Sequence, residues 1–153
     1  MLRLSKKADY ALIAMKHLAQ KQDAKSSSAR EIAGAYDIPI ELMAKVLQRL
    51  VRVGLLRSLQ GTHGGYALGR AARQITVGDV IQAIDGPFSV TACSEENHAC
   101  EQFGKCSIRD PLWRIKERIV ATLGTVSLAD MAAEIAPSFP AAPIPAAFLR
   151  THV

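Results

Sequence analysis

The stretch SAREIAGAYDIPIELMAKVLQRLVRVG, residues 28–54, decides the fold. It begins with Ser28 and, three residues later, Glu31, a capping-box pattern in which each side chain accepts a hydrogen bond from the other residue's backbone N–H. This pattern predicts the start of a short helix whose Ile32 and Ala35 side chains face the core. The residues that follow make this helix the first half of a helix pair.

A second, longer helix follows after a tight turn. Pro39 has a fixed φ that suits the first turn of a helix, and the helix is predicted over residues 40–53. Gly54 is typical of a C-terminal cap, because glycine adopts positive φ without strain. A short helix, a tight turn and a longer helix are the pattern of a helix-turn-helix motif.

The longer helix carries two different faces. Its apolar stripe comprises Leu42, Val46, Leu47, Leu50 and Val51. Its polar ridge comprises Glu41, Lys45, Gln48 and Arg52, with Arg49 beside them. Long basic and amide side chains can reach base edges and phosphates from a helix in the major groove of DNA. Ordinary solvated helices also carry such ridges, so this face alone does not distinguish a DNA-binding helix from a surface helix.

A hairpin is predicted directly after this helix, with strands over residues 55–59 and 66–69. Three glycines between the strands permit a tight turn. A hairpin that follows a helix-turn-helix motif is the wing of a winged helix. The wing would touch phosphates or the minor groove through Arg57, Gln60, Thr62 and His63.

Charge is distributed unequally along the 153 residues. Residues 1–75 carry 13 Lys and Arg against 5 Asp and Glu, a net charge of +8. Residues 76–153 carry 6 against 9, a net charge of −3, which together with the first half gives the overall +5. A strongly basic half predicts that this half faces a polyanion. With a helix-turn-helix motif and a wing in the same half, the favoured polyanion is DNA.

Composition limits the class of protein. Apolar residues make up 49% and charged residues 22%, as in ordinary soluble domains. No apolar run approaches the roughly 20 residues of a membrane-spanning helix. Lys6, Lys7 and Asp9 interrupt the pattern of a signal peptide. We therefore expect a cytoplasmic protein that does not enter a membrane, in a compartment where thiols stay reduced.

Three more helices are predicted, over residues 5–21, 76–85 and 111–124. The third begins with Asp110 as its N-cap and Pro111 at its first helical position. Its apolar stripe is wide, which favours pairing with the same helix of a second copy, although packing within its own domain is an equal alternative. The stripe comprises Leu112, Trp113, Ile115, Ile119, Val120 and Leu123.

All three cysteines, Cys93, Cys100 and Cys106, lie within one stretch of fourteen residues. Clustered thiols in a reducing compartment indicate metal or redox chemistry. With His98 they would make a Cys₃His zinc site. A thiol-redox enzyme is disfavoured, because there is no Cys-x-x-Cys pair and no acid/base group beside the cysteines.

Several motifs, taken in order, resemble the Rrf-two family of bacterial winged helix-turn-helix regulators. They are MLRLSKKADYAL at the start, RLVRVGLLRS, GTHGGYALGR and ITVGDVIQAIDGP, followed by the three cysteines and LWR. The resemblance covers roughly residues 1–135. It implies a mainly α fold with a winged helix-turn-helix domain and a small hairpin wing. It also implies a homodimer that binds a double-stranded DNA operator and regulates transcription, most often as a repressor, and not an enzyme.

The resemblance further implies an iron–sulfur cluster, as in members of the IscR and NsrR types that carry the cysteines. Thiolates suit iron, and the positive end of the helix that follows would favour an anionic cluster. A 2Fe–2S cluster is slightly favoured over 4Fe–4S. Control of cluster-assembly genes in response to cluster supply is favoured over sensing of nitric oxide or redox stress.

The fourth ligand differs between types of the family. IscR-type members use a histidine three residues after the last cysteine, where this chain has Arg109, and arginine stays protonated. NsrR-type members use an aspartate of the partner's first helix, and Asp9 matches that position. We predict Asp9 of the partner subunit as the fourth ligand, with His98 and Asp110 as alternatives.

The predicted DNA contacts come from the helix pair and the wing. On the helix pair they are Ser28, Arg30, Ile40, Glu41, Lys45, Gln48, Arg49 and Arg52, and on the wing Arg57, Gln60, Thr62 and His63. Gln60 stands where IscR-type members have arginine, and Ala44 replaces a glutamate that helps those members choose operators. Minor-groove readout and operator preference are therefore not transferred from them.

Four segments are predicted along the chain. They are a winged helix-turn-helix domain at residues 1–85, a cluster-binding loop at 86–110, a dimerisation helix at 111–135 and a flexible tail at 136–153. The tail is rich in proline and alanine, and the sequence assigns it no function.

Overall fold

The computed structural model describes residues 3–21, 26–62, 64–90, 100–102 and 104–133. The helices are α1 Lys6–Gln20, α2 Ala29–Ala35, α3 Ile40–Arg52, α4 Val77–Asp85, α5 Arg109–Thr125 and α6 Leu128–Ala132. Strands β1 Leu56–Leu59 and β2 Gly65–Leu68 form an antiparallel pair, followed by a short 3-10 helix, Ala72–Gln74. The predicted fold class, a mainly α winged helix-turn-helix with a small hairpin, is confirmed.

Helix α1 lies at the centre of the core. Its first turn is capped by Ser5, whose Oγ accepts a hydrogen bond from the Ala8 N–H at 3.1 Å. Helices α3, α4 and α6 and strand β2 pack against α1. Their close approach is possible because four of the six buried residues of α1 are alanines; the six are Ala8, Ala11, Ala14, Met15, Leu18 and Ala19.

His17 lies at the edge of this core and packs against Tyr36. The two rings meet edge to face at 5.6 Å, and His17 Nδ1 is 3.1 Å from the Tyr36 hydroxyl. Burial lowers the pKa of His17, and the positive charge of Lys21 lowers it further. The sequence favours a packed histidine over a ligand at this position, and the contacts agree.

Helices α2 and α3 form the predicted helix-turn-helix, with two corrections in α2. Ser28 Oγ accepts from the Glu31 N–H at 3.1 Å, but the Glu31 carboxylate binds Lys21 Nζ, so only half of the capping box forms. The prediction that Ala35 faces inward was wrong. Ala35 is exposed, and Ala33 is buried in its place. The Ala33 carbonyl also accepts a hydrogen bond from the Ile38 N–H at 2.9 Å, which closes the turn between the two helices.

Helix α3 begins and ends close to its predicted limits. Pro39 takes the N-cap position, and its carbonyl accepts from the third and fourth helical N–H groups, those of Leu42 and Met43. Gly54 follows the C-cap with φ +77°, the left-handed conformation that favours glycine. The apolar stripe is confirmed, with one residue added to its centre; Met43, Val46, Leu47 and Leu50 are buried, and Leu42 and Val51 are half-buried.

The wing is attached to the loop before α2. The hairpin pairs Leu56 with Leu68 and Leu59 with Gly65. Ser27 then pairs with Tyr66: each backbone N–H donates to the other residue's carbonyl, at 3.0 and 2.8 Å. These bonds fix the position of the wing relative to the helix-turn-helix motif.

Gly65 is required where the wing meets that loop. A Cβ at residue 65 would lie 2.6 Å from the Ser27 carbonyl oxygen and 2.7 Å from the carbonyl carbon. We expect Gly65→Ala to lower the free energy of unfolding by about 1–3 kcal/mol, as overpacking does. Gly34→Ala is the control: it has open space in α2 and should raise stability by up to about 1 kcal/mol. Denaturant unfolding measures both, and an unchanged midpoint for Gly65→Ala would contradict the docked wing.

Helix α4 begins as predicted, whereas α5 does not. Thr76 and Asp79 form a complete capping box at the start of α4, and Gly86 ends it with φ +84°. The prediction of Asp110 as N-cap of α5 was wrong: the helix begins at Arg109, and the Asp110 carboxylate accepts from Arg109 Nε at 2.9 Å. Pro111 then takes the third helical position, which it tolerates because the first four N–H groups have no intrahelical partner.

Helix α6 was not predicted, although its sequence carries a start signal. Ser127 and Asp130 form a complete capping box, and Leu128 is fully buried. The segment pairs with the start of α4, where the Val77 N–H donates to Val126 and the Leu128 N–H donates to Ile75. These bonds return the chain to the core after α5.

The predicted tail, residues 136–153, lies outside the described residues, as do Cys93, His98 and His63. Among the residues that are described, no helix is long and apolar enough to cross a membrane.

Candidate nucleic-acid interface and cysteine segment

The polar ridge of α3 is exposed along its whole length. Its five predicted residues, Glu41, Lys45, Gln48, Arg49 and Arg52, are all exposed, while the opposite face of the helix is buried. Ile40, at the first turn, is 43% exposed and is the kind of apolar side chain that contacts a thymine methyl group. The helix thus presents one continuous surface of long polar side chains.

Arg49 also has a structural contact that the sequence did not predict. Its Nε donates to the Ala83 carbonyl at 3.0 Å, which joins α3 to the last turn of α4. A guanidinium has five N–H donors, so this bond leaves others for a phosphate. Arg49 and Lys45 line a cleft together with Lys7 of α1.

The other described residues that were predicted to contact DNA are exposed, and the hydroxyl of one of them already has a hydrogen-bond partner. Arg30 is exposed on α2, whereas the Ser28 hydroxyl is engaged as the helix cap. On the wing, Arg57, Gln60 and Thr62 are exposed. Gly61 has φ +110°, a conformation that the turn needs and that side chains rarely adopt.

A second cleft, of about 890 Å³, lies between the wing, the end of α1 and α6. Its rim carries four basic side chains, Lys21, Arg57, Arg70 and Arg73, over an apolar floor that includes Leu59 and Leu68. Arg70 and Arg73 were not among the residues predicted to contact DNA. The run GRAAR directly after the second strand is the signal that would have identified them.

The basic side chains of the ridge and wing are uncompensated. In the part of the chain that the structure describes, Lys45, Arg52 and Arg57 have no carboxylate partner, whereas Lys21 binds Glu31. Unpaired cations on an exposed surface attract phosphates without first breaking an ion pair.

The cysteine segment leads directly into α5. Cys100 and Cys106 are half-buried free thiols, and Cys106 lies three residues before Arg109, where the helix begins. Within the described ranges, no three His, Cys, Asp or Glu side chains come together as a metal site. The two described thiols are soft donors of the kind that hold iron or zinc, so the donor chemistry fits a metal centre.

Asp9 is exposed on the first turn of α1. That turn is attached to the end of α4: the Asp85 carboxylate accepts from the Ser5 N–H at 3.1 Å and from the Ser5 hydroxyl. Asp85 is followed by Gly86, from which the chain continues toward the cysteines. Asp9 and the start of the cysteine segment are therefore carried by two elements that are bonded to each other.

Helix α5 has an exposed apolar face, and none of its residues is fully buried in the part of the chain that the structure describes. Ile108 is 60% exposed and Ile115 is 46% exposed. Leu112 and Ile119, which are half-buried, lie on the same side at the spacing i, i+4, i+7 and i+11, so the four residues form one stripe. Helix α5 packs against α4, and Lys116, Val120 and Leu123 of its neighbouring face line a cleft together with residues of α4.

Comparison with a family model decides the class of this molecule. The model of Rrf2, described as an iron-dependent transcriptional regulator, matches residues 4–134. The chain belongs to the Rrf2 family. This confirms the resemblance to the Rrf-two family that the sequence motifs indicate, and it identifies the chain as a transcriptional regulator that binds DNA and is not an enzyme.

Solved structures of this family have the same fold. CymR (YrzC), the global cysteine regulator of B. subtilis, is 30% identical, with a TM-score of 0.73 over 88% of this chain and 99% of that one. IscR of T. potens is 29% identical, with a TM-score of 0.67 over 85% of both chains. Staphylococcus aureus CymR is 26% identical, with a TM-score of 0.68 over 86% of this chain and 98% of that one.

Proposed function

We propose that this Rrf2 regulator is a homodimeric repressor whose affinity for DNA depends on an iron–sulfur cluster. The observation that carries the proposal is the pair of half-buried free thiols, Cys100 and Cys106, immediately ahead of α5. The description of the family as iron-dependent supports iron over other metals. Cluster-assembly genes are the proposed targets, since such a regulator would report cluster supply.

The proposed cluster ligands are the thiolates of Cys93, Cys100 and Cys106 and the carboxylate of Asp9 of the partner subunit. When bound, the cluster supplies an iron centre that is sensitive to oxidation and to iron supply. A 2Fe–2S cluster is favoured. Cys100 and Cys106 would hold their segment at the start of α5, and their release would free that segment.

The proposed dimer forms through α5. Its exposed stripe would pair with the same stripe of a second copy, in the isologous arrangement of a twofold dimer. Burying apolar side chains contributes about 1.5–3 kcal/mol for each residue of this size. A twofold dimer presents two copies of α3 to two half-sites of an operator.

Contacts through α4 would connect the cysteine segment with the DNA-reading helix. Asp85 binds Ser5 at the start of α1, and two residues earlier the Ala83 carbonyl accepts from Arg49 of α3. A shift of α4 would therefore move both α1 and α3. In this scheme α4 has one position with the cluster bound and another without it. Cluster binding changes DNA affinity only as far as these two positions differ in their affinity for the cluster.

Two substitutions on α3 test the DNA-binding part of the proposal. We expect Lys45→Ala to weaken binding about equally for all sequences and to reduce the salt slope by about 1, because it removes one phosphate contact. Gln48→Ala should instead lose about 1–3 kcal/mol of discrimination at one base pair. Fluorescence anisotropy with operator variants over a range of salt distinguishes them. A protein that binds all fragments equally, with or without these substitutions, would contradict a sequence-specific ridge.

A further inference from the structure

We propose that Lys7, Lys45 and Arg49 form a binding site for one phosphate of the operator backbone, where α1, α3 and α4 meet. This inference rests on the proposed function and adds a residue of α1, Lys7, to the DNA interface. The three cations line a single cleft of about 220 Å³. Since liquid water occupies about 30 Å³ per molecule, the cleft has room for a phosphate group with several waters.

The charge of the cleft is purely positive. All three side chains are exposed, and within the described residues neither Lys7 nor Lys45 has a carboxylate partner. Arg49 is held by its bond to the Ala83 carbonyl, so its guanidinium stays beside the cleft. Three cations collected without a counter-charge repel one another, and an anion that enters the cleft removes this repulsion.

The other lining residues are apolar. Leu42 and Val46 of α3 and Ile84 of α4 complete the cleft. Apolar walls lower the local dielectric and strengthen the attraction of cations for an anion, provided that the anion remains partly hydrated. The three cations of the cleft are exposed to solvent, which suits a phosphate that belongs to a longer backbone.

Lys7 belongs to the first turn of α1, and this turn is bonded to the end of α4. Ser5 caps α1 and is itself bonded to Asp85, the neighbour of Ile84. Lys7 and Arg49 are thus carried by two helices that are both bonded to the last turn of α4.

The position of the cleft favours a DNA phosphate over a free anion. Lys45 belongs to the exposed ridge of α3, so a helix lying in the major groove brings the cleft to the backbone that borders the groove. The Lys7 ammonium would then contact the phosphate from the side opposite the ridge. Such a contact positions the helix but reads no base.

The test compares Lys7→Ala with Lys6→Ala. Lys6 is exposed on the same turn, carries the same charge and does not line the cleft. DNA affinity of the full-length protein is measured from 50 to 300 mM salt on one operator fragment and on one unrelated fragment. We expect Lys7→Ala to reduce the salt slope by about 0.9 and affinity by about eightfold at 0.1 M salt, on both fragments. Lys6→Ala should change the salt slope by less than half as much. Lys7→Arg, which keeps the positive charge, should have the salt slope of the wild-type protein.

Two results would overturn the inference while leaving the proposed function intact. One is an equal change of slope for Lys7→Ala and Lys6→Ala in a protein that binds its operator. The other is binding of inorganic phosphate that depends on Lys7, together with an unchanged DNA slope, which would mark a site for a free anion. If the wild-type protein binds neither fragment, with or without its cluster, the proposed function itself fails.

Discussion

The double substitution Cys100→Ala with Cys106→Ala is expected to yield a colourless protein without iron or sulfide. A cluster of either proposed type needs most of its thiolate ligands, and this change removes two of three. Wild-type protein purified without oxygen should be brown and contain iron and sulfide in equal amounts. Visible absorbance, iron analysis and acid-labile sulfide analysis measure the difference. We also expect the DNA affinity of the double variant to equal that of wild-type protein after cluster removal.

The fold should survive this substitution, because neither thiol belongs to the buried core. Ser107→Ala, an exposed neighbour, is the matched control and should keep the full iron content. Asp9→Ala should give an intermediate result, with a cluster that forms and decays faster in air. A wild-type protein that is colourless and holds one zinc per chain would replace this account with the Cys₃His zinc site.

If the proposed dimer forms through α5, Ile115→Glu is expected to convert it into a monomer. The side chain lies in the centre of the exposed stripe of α5, and a carboxylate buried there without a partner opposes association. A monomer binds only one half-site at a time, so operator affinity should fall by at least about 100-fold through the loss of bivalent binding. Sedimentation velocity measures the change in mass, and anisotropy measures the change in affinity.

Ala121→Glu is the matched control on the same helix. Ala121 is exposed on the opposite side of α5 and receives the same new side chain. It should leave both mass and affinity unchanged. If Ile115→Glu remains a dimer that binds the operator with wild-type affinity, α5 is not the dimer surface.

Local signals in the sequence were sufficient for most of the fold. The capping pattern at Thr76, the glycines of the wing and the faces of α3 act over a few residues, so their outcome is visible from the sequence. Misses arose where a distant residue intervened. Lys21 draws the Glu31 carboxylate away from its capping role, and the core accepts Ala33 rather than Ala35. Lys21 is ten residues away from Glu31, and the core residues around Ala33 come from other elements of the fold.

The candidate site was predictable only in part, for the same reason. Exposure of Lys45, Gln48 and Arg52 follows from helical periodicity, whereas the Arg49 bond to α4 joins residues 34 positions apart. The place of Lys7 beside Lys45 depends on how α1 packs against α3, which no local pattern encodes. The identity of the fourth cluster ligand stays a prediction, since a ligand from the partner subunit leaves no spacing rule in the sequence.

The operator affinity of the cluster-loaded and cluster-free protein shows whether an iron–sulfur cluster sets DNA binding. Protein purified without oxygen is divided in two, the cluster is removed from one half, and operator affinity is compared at one salt concentration. We expect the affinities of the two forms to differ by about 5–150-fold, the usual range of coupling between two sites, and we expect rebuilding the cluster to restore the first value. Equal operator affinity of the loaded and cluster-free forms would contradict this expectation.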